Sequence, residues 1–490
     1  MRALSPNFFN TIHATLLAQP DRVLVVWPAA GAAAPATYSG RELATLVDGH
    51  RATLAGGGVR AGEPVLLLLP VGIELIGTLL AVMAVGAVPV LPPAGASALS
   101  LLRLARRGGI RRAVVGAGPP AWVRLVAAGL GLRLLRATPP AAAVVAGAAP
   151  AVGAGQAALI SHSSGSTGPA KPVRRSHQVL QAQHEVLKAV FPPLPGQRDC
   201  PLFPNVLLHN LAAGVCTVLP DVPWTDLARL DAARVVGQLG REQVQTLTGN
   251  VFYFTRLAAH LTQFPTALPQ VTALGIGGSP VPEGLVRRLA ALLPRARCYV
   301  IYGSSEAEPI AVRQLAAEAE PLPPRAGYCV GPVLPSLTWR LRLIGRVWVG
   351  PGQELVPVGE VQVRGPHVAA EGWLSTGDFG YLGPGQQLCL TGRAGNEAIC
   401  RQLQHYQPEH VLQHLPGVAR VAARPGPQGF VVYVERLPGA RLTAADVRQA
   451  LAAAFPAPAF PQSVAARVLF RRRLPVDRRH LSKIRYGALQ

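Results

Sequence analysis

The chain is poor in lysine, acidic residues and aromatic residues. Only three of its 47 basic residues are lysine, at positions 171, 188 and 483, and 25 acidic residues leave a net charge of +22. Aromatic residues make up 6 % of the chain, and no zinc-finger or RNA-binding signature accompanies the basic charge. We therefore predict no nucleic-acid partner. The charge instead favours anionic small molecules, an acidic carrier protein or peripheral association with an anionic membrane.

Cysteines are few, and they show neither a CxxC pair nor a regular spacing. We predict that all are buried, reduced thiols in a reducing compartment, which favours a cytoplasmic location. The six positions are Cys200, Cys216, Cys298, Cys329, Cys389 and Cys400. The N-terminus opens no signal-peptide core.

One long apolar stretch, Pro64 to Pro93, could span a bilayer by its length. It is interrupted by Pro70, Gly72 and Glu74, among other breaks. We therefore predict a buried strand, a helix and a second strand rather than a membrane span.

Short β-rich runs alternate with helical patterns along most of the chain, which predicts the α/β class. We expect a large N-terminal region of α/β layers with mostly parallel sheets, a β-rich subdomain from about Trp339, and a small mobile C-terminal α/β domain. The predicted boundary divides the chain into residues 1–392 and 393–490. In the β-rich part, the runs 341–344 and 347–349 are predicted as separate short strands. Other predicted strands are Val23–Trp27, Val65–Leu69, Ala113–Val115, Ala158–Ser161, Ala273–Ile276, Arg297–Ile301 and Val361–Val363.

A loop rich in serine, threonine and glycine follows one predicted strand and ends in a lysine. Such a loop can offer successive backbone N–H groups, hydroxyls and an ammonium to an anion. Its spacing is not that of a Walker A loop. The loop reads Ser163-Ser164-Gly165-Ser166-Thr167-Gly168-Pro169-Ala170-Lys171.

Three further motifs follow in order: Tyr302-Gly303-Ser304-Ser305-Glu306, Ser375-Thr376-Gly377-Asp378 and Gly392-Arg393. Together with the loop, they resemble the adenylate-forming superfamily of acyl-CoA synthetases, peptide-synthetase adenylation domains and luciferases. The resemblance runs from about Asn7 to Tyr486 and implies ATP and Mg²⁺ as cofactors.

The resemblance also implies a role for each matching residue. Ser163, Ser164, Gly165, Ser166, Thr167, Gly168 and Lys171 would cradle the ATP phosphates. Gly277, Gly278 and Ser279 would pack against adenine, and Tyr302 would stack on it. Ser305 would contact a phosphate, Glu306 would hold Mg²⁺ and contribute to catalysis, and Asp378, with Arg393 close by, would bond the ribose hydroxyls.

The C-terminal motif Leu474-Pro475-Val476-Asp477-Arg478-Arg479-His480-Leu481-Ser482-Lys483 is two positions longer between proline and lysine than the usual superfamily motif. This form resembles the bacterial β-lactone synthetases of olefin biosynthesis. Lys483 would then stabilise charge at the substrate carboxylate and the α-phosphate. His480 is a candidate general base, although it could serve only to shape the loop.

The segment after Gly392-Arg393 departs from the superfamily pattern. Gly395 replaces the usual hinge aspartate or lysine, and a later glycine near the thiol-entry face is missing. These departures weaken the expectation of a second half-reaction with coenzyme A.

The predicted reaction is activation of a small-molecule carboxylic acid as acyl-AMP with release of pyrophosphate, followed by closure to a β-lactone. Two alternatives stay open: a ligase that uses coenzyme A or an acyl carrier protein, with other pathway enzymes as partners, and a weakened nucleotide-binding relative. Apolar residues between Pro201 and Phe254 favour a fatty or 3-hydroxy fatty acid. The predicted substrate contacts are Phe203, His209, Asn250 and Phe254, and Leu208 is a further candidate.

Overall fold

The structure of the chain is a computed structural model. It describes residues 7–28, 34–93, 95–137, 148–163, 171–203, 205–315, 323–350, 355–456, 460, 463–477 and 481–489.

The helices and strands of the described residues alternate through most of the chain. The strands are β1 Val23–Trp27, β2 Ala36–Ser39, β3 Pro64–Leu68, β4 Val88–Val90, β5 Arg112–Val115, β6 Arg133–Arg136, β7 Ala157–Ser163, β8 Lys171–Ser176, β9 Arg198–Pro201, β10 Cys216–Val218, β11 Thr246–Asn250, β12 Ala273–Gly277, β13 Arg297–Ser304, β14 Ala307–Leu315, β15 Tyr328–Gly331, β16 Thr338–Val347, β17 Val356–Arg364, β18 Leu374–Gly383, β19 Gln387–Arg393, β20 Val418–Arg424, β21 Phe430–Arg436 and β22 Ala465–Arg471. The helices are α1 Phe9–Ala18, α2 Gly40–Gly56, α3 Ile73–Ala84, α4 Ala98–Arg107, α5 Ala121–Leu130, α6 His177–Val190, α7 Val206–Ala213, α8 Ala232–Arg241, α9 Val251–Gln263, α10 Glu283–Leu292, α11 Tyr406–Gln413 and α12 Ala444–Ala454.

Two mostly parallel sheets build the N-terminal region. One has eight strands in the order β14-β13-β12-β11-β9-β10-β1-β2, and the other has six in the order β6-β5-β3-β4-β7-β8. Antiparallel pairs occur at the edges, where β13 meets β14, β1 meets β2, and β7 meets β8. Parallel strands must be covered on both faces, so these strands are apolar runs between helices. The predicted α/β class is confirmed.

The β-rich part is an antiparallel sheet in the order β15-β19-β18-β17-β16, and a three-stranded sheet, β20-β21-β22, follows it. The prediction of two separate strands near residue 345 is wrong, because β16 continues without a break from Thr338 to Val347, and residues 348 and 349 lie beyond its end. The register against β17 shifts between Leu343 and Gly345. A bulge there keeps one long strand paired although the apolar pattern is interrupted.

The prediction that all the cysteines are reduced is also wrong. Cys329 of β15 and Cys389 of β19 are cross-strand partners and form a disulfide. The other cysteines are buried and free, as predicted. A sequence cannot show which two cysteines become strand neighbours, because that depends on the register of distant strands.

Within the described ranges, no helix is long and apolar enough to cross a membrane. The stretch Pro64 to Pro93 instead contains β3, α3 and β4, as predicted, and the central residues of α3 are buried.

Helix α11 ties the C-terminal part of the chain to the β-rich sheet. Gln407 Nε2 donates to the backbone oxygens of Arg325 (2.9 Å) and Trp348 (2.7 Å). The Nδ1 atom of His410 lies 2.9 Å from the Gly327 oxygen. The Trp348 ring packs among C-terminal residues such as Phe455 and Phe460. The Tyr328 hydroxyl also donates a hydrogen bond to Gln413 Oε1, at 2.8 Å.

Glu409 of α11 is a buried carboxyl group that joins three segments of the C-terminal part. It accepts hydrogen bonds from the Ala423 amide (2.7 Å) and from the Tyr486 hydroxyl (3.0 and 2.9 Å). Burial raises the pKa of Glu409 well above its usual value. The protonated form is therefore favoured in the folded state, and stability is lost as the pH rises from the unfolded pKa towards the folded one.

Glu409→Gln is expected to reduce this pH dependence, because glutamine keeps the shape and hydrogen-bonding atoms without a proton to lose. The melting temperatures of wild type and variant should be close near pH 5, and the variant should melt higher at pH 8. Calorimetry across this range tests the expectation. A variant that melts lower than wild type at pH 8 would contradict the assigned protonation.

Candidate active site

Tyr302, Asp378 and Arg393 form a connected group between β13 and the β-rich sheet. The Tyr302 hydroxyl donates to Asp378 Oδ2 at 3.0 Å, and Arg393 Nη1 donates to Asp378 Oδ1 at 2.6 Å. Asp378 and Arg393 are cross-strand partners on β18 and β19. The Asp378 charge raises the pKa of Arg393, and burial followed by the same charge raises that of Tyr302. The structure thus brings together three residues predicted at the nucleoside.

Gly277 and Gly278 allow β12 to end close to β13. A Cβ atom on Gly277 would lie 2.6 Å from the Ile301 carbonyl oxygen, and Gly278 has φ +79°. Both conditions require glycine. The next residue, Ser279, has a buried hydroxyl with no hydrogen-bond partner among the described residues. Gly277 and Gly278 line a large cavity, but Ser279 is not part of its described lining.

Ser305 and Glu306 form the turn between β13 and β14, and both line a large cavity. The Glu306 amide donates to Ser304 Oγ at 3.3 Å, and its carbonyl accepts from the Ala369 amide at 2.7 Å. The described residues contain no group of three or more His, Cys, Asp or Glu side chains able to hold a metal. A single carboxylate still fits Mg²⁺ held together with nucleotide phosphates, since this ion keeps most of its ligands from phosphate and water.

The predicted phosphate loop is described only at its two ends. Ser163 ends β7, Lys171 begins β8, and the two are cross-strand partners. Lys171 lines the same cavity as Glu306. Ser164, Gly165, Ser166, Thr167 and Gly168 lie outside the described residues.

Lys483 lines this cavity too, although it lies far along the sequence from the other lining residues. Its backbone oxygen accepts from the Asp477 amide at 2.9 Å, and Val476 pairs with Ile484 in an isolated antiparallel bridge. This local pairing fixes the backbone that carries Lys483. His480 lies outside the described residues.

The cavity has a volume of about 1060 Å³ and is lined by residues of both parallel sheets and of the β-rich sheet. Its polar end is lined by Lys171, Arg175, Ser305, Glu306, Thr376, Arg393 and Lys483. One apolar wall follows the eight-stranded sheet and α6 and includes Leu187, Val190, Phe191, Leu247, Ala273, Leu274, Tyr299 and Ile301. A second apolar wall is made by α3 and its surroundings and includes Phe8, Val71, Leu75, Ile76, Leu79, Leu91, Leu159 and Leu180.

His209 of α7 lines the cavity beside His184 of α6, and their Nδ1 atoms lie 3.0 Å apart. Burial lowers the pKa of His184, and burial together with His184 lowers that of His209 to about 3. Both rings are therefore neutral near pH 7, with one Nδ1 donating and the other accepting. The pair places polar atoms among the aliphatic side chains.

The four predicted substrate contacts divide into two groups. Phe203 and His209 line the cavity. Asn250 and Phe254 are buried at 1 % and 0 % exposure and do not belong to its described lining. Asn250 instead accepts from the Tyr253 amide at 2.9 Å and caps α9. An asparagine directly before a helical pattern is a readable N-cap signal, so this placement could have been foreseen.

Sequence reasoning missed the contributions of α3 and α6 to the cavity. Val71, Leu75 and Leu79 come from the apolar stretch that was predicted only as core. Arg175 was also missed, although an arginine four residues after Lys171, the end of the phosphate loop, was a visible signal.

The chain matches the family described as AMP-binding enzyme over residues 13–373. This match covers well over half of the chain, so the protein belongs to the AMP-binding enzyme family. It is an adenylate-forming enzyme, and the predicted superfamily is confirmed.

Two curated relatives are similar over nearly the whole chain. The olefin beta-lactone synthetase of Xanthomonas campestris is 29 % identical, and the match covers 95 % of this chain and 93 % of the relative. The protein of the same name from Stenotrophomonas maltophilia is 28 % identical, with 95 % and 94 % covered. The solved structure of O-succinylbenzoate coenzyme A synthetase from Bacillus subtilis, in complex with ATP and magnesium, superposes with a TM-score of 0.79 at 18 % identity. It covers 98 % of this chain and 99 % of that one, which supports the fold alone.

Proposed function

We propose that the protein uses ATP to activate a long-chain 3-hydroxy acid with an alkyl branch at its 2-position and then closes the acid to a β-lactone. The observation that carries this proposal is the cavity, in which two lysines and Glu306 share one chamber with two apolar walls. The two relatives named as olefin beta-lactone synthetases support the same reaction.

The two apolar walls fit an acid with two hydrocarbon arms. One wall follows β13 from Arg297 to Ser304, eight residues that span about 23 Å. The other wall belongs to a different layer, around α3. An acid with a second chain at its 2-position would place one arm along each wall, and burial of each methylene would contribute about 0.8 kcal/mol.

In the first step, a carboxylate oxygen of the substrate forms a bond to the α-phosphorus of ATP, and the bond to pyrophosphate breaks. The chain's own contribution is positioning and charge neutralisation. Lys171 would hold the outgoing phosphates, and Lys483 would meet the carboxylate and the α-phosphate. Asp378 would fix the ribose and Tyr302 the base. Bound Mg²⁺, held by Glu306, would neutralise phosphate charge.

In the second step, the substrate's 3-hydroxyl oxygen forms a bond to the activated acyl carbon, and the bond to AMP breaks. This closes a four-membered ring and releases AMP without a thiol. The hydroxyl proton needs an acceptor, for which we propose His480. His209 would supply a polar contact in the apolar wall.

We further propose that residues 1–392 form the AMP-binding domain and that residues 393–490 form the lid that carries Lys483. Gly395, just after the boundary, has φ +87°. Aspartate, which is usual at this hinge position in the superfamily, rarely adopts that backbone conformation. Glycine at this position still permits rotation of the lid, but the sequence after it departs from that of enzymes that use coenzyme A. A coenzyme A or carrier-protein ligase is the alternative outcome of the test.

The proposed function is tested by mass spectrometry of the products formed from the purified protein, ATP, Mg²⁺ and a long-chain 2-alkyl-3-hydroxy acid. A β-lactone and AMP are expected with no thiol present. The matched acid without the 3-hydroxyl should yield only bound acyl-AMP.

Other outcomes of this experiment would overturn the proposal in recognisable ways. Acyl-AMP that accumulates from the hydroxy acid and is consumed only when coenzyme A or a carrier protein is added would indicate the ligase. Absence of ATP–pyrophosphate exchange with any hydrophobic acid would indicate a nucleotide-binding relative without turnover.

A further inference from the structure

Arg175 of β8 is a buried cation that none of the predicted roles includes. It is 4 % exposed, yet it lines the polar end of the cavity with Lys171, Ser305 and Glu306. Arginine is rarely buried to this extent unless its charge meets specific acceptors. Its neighbour on the same strand, Arg174, is exposed on the opposite face.

The Arg175 guanidinium joins two segments of the site. Its Nε atom donates to the Ser305 carbonyl oxygen at 3.0 Å, and its Nη1 atom donates to Ser161 Oγ at 3.1 Å. Ser161 lies on β7, which pairs with β8 in the hairpin that carries the phosphate loop. Ser305 precedes Glu306 in the turn after β13. One planar side chain therefore holds this turn against the phosphate-loop hairpin.

Both of these acceptors are neutral, so these two contacts fix the orientation of the guanidinium and are not ion pairs. The group lies at the polar end of the cavity, where a metal-bound polyphosphate would lie. A lysine could keep the charge there, but one ammonium on a flexible stem cannot reproduce a fork that spans two acceptors in fixed directions.

We propose that Arg175 is a positioning residue for the metal–nucleotide complex. By holding the Ser305 carbonyl, it sets the direction of the Glu306 carboxylate relative to the phosphate loop. This inference rests on the proposed use of ATP and Mg²⁺, and it deepens that proposal by assigning a residue that orients the metal-binding turn.

Binding of Mn²⁺ in the presence of ATP, followed by electron paramagnetic resonance, tests the proposal without requiring turnover. Arg175→Met and Arg175→Lys should each weaken Mn²⁺ binding about tenfold, since one charged hydrogen bond is of this size. Arg174→Met is the matched control and should bind as wild type does. The KM for the acid should be unchanged in all three variants.

The outcomes separate positioning from simple charge and from a structural role. Wild-type affinity in Arg175→Lys would show that charge alone matters and would overturn the proposal, as would wild-type affinity in Arg175→Met. Unchanged metal affinity with a lower melting temperature would indicate a structural role and would also overturn it.

Ser161→Ala is a milder variant that removes only one of the two acceptors. It should weaken Mn²⁺ binding in the same direction but by less, and it keeps the proposal testable if the Arg175 variants fail to fold. A wild-type protein that binds no metal nucleotide would instead refute the proposed function, which the failure of a variant alone would not do.

Discussion

Lys483→Ala is expected to lower the rate of ATP–pyrophosphate exchange by about 10²–10³-fold, the usual effect of removing one donor that stabilises transition-state charge. Lys483 lines the cavity that also contains Lys171 and Glu306, although it comes from the C-terminal end of the chain. Its ammonium would meet charge that develops as pyrophosphate leaves. The loss should therefore appear in kcat more than in the KM for ATP.

The chain offers a matched control for this substitution. Lys188 is the third lysine, and it pairs with Glu185 at 3.4 Å on the outer side of α6. Such exposed pairs contribute about 0–1 kcal/mol to stability, so Lys188→Ala should retain both fold and activity. Lys483→Arg should be impaired as well, because a planar fork does not replace a compact ammonium. If Lys483→Ala catalysed ATP–pyrophosphate exchange at the wild-type rate, Lys483 would have no role in the first half-reaction.

Asp378→Asn is expected to weaken AMP binding about 10–100-fold and to destabilise the fold by about 1–3 kcal/mol. Asparagine keeps the shape of aspartate but loses the charge that both Tyr302 and Arg393 contact. The Arg393 side chain is 29 % exposed, so water compensates part of the loss and the larger values for a fully buried ion pair do not apply. Calorimetric titration with AMP and thermal unfolding measure the two effects.

Asp221→Asn provides the comparison for a pair of the same chemistry outside the cavity. Asp221 accepts two hydrogen bonds from Arg234, at 2.9 and 3.1 Å. This variant should bind AMP normally and lose little stability. If Asp378→Asn bound AMP as tightly as wild type, the ribose role of Asp378 would be refuted.

Much of the fold could be predicted because buried parallel strands are short apolar runs with clear breaks. The strand predicted at Val23–Trp27 has the same limits in the structure. The strand predicted at Arg297–Ile301 begins as predicted and continues further, to Ser304. Because both faces of such strands are covered, nearly all their residues are apolar, and the local sequence pattern therefore shows where they begin and end. The division of β16 was predicted wrongly because a bulge interrupts the pattern without interrupting the strand.

The residues predicted to bind the nucleotide could be identified from motifs, whereas the walls of the cavity could not. Tyr302, Asp378 and Arg393 lie together, as their motifs implied. The walls of the cavity depend on which face of each helix meets which sheet, and that is a property of tertiary packing. Phe254 illustrates the difference, because the apolar pattern of α9 does not distinguish a core position from a cavity wall.

The attachment of α11 determines how often the C-terminal part would be found turned away from the cavity. Turning it about the segment after Arg393 would break the Gln407, His410 and Tyr328 hydrogen bonds and would expose Trp348. At about 0.5–1.5 kcal/mol for each bond and about 2 kcal/mol for the ring, the preference is at least about 4 kcal/mol. Fewer than about one molecule in a thousand would then be open at equilibrium, so we expect the arrangement with Lys483 at the cavity to predominate before any substrate binds.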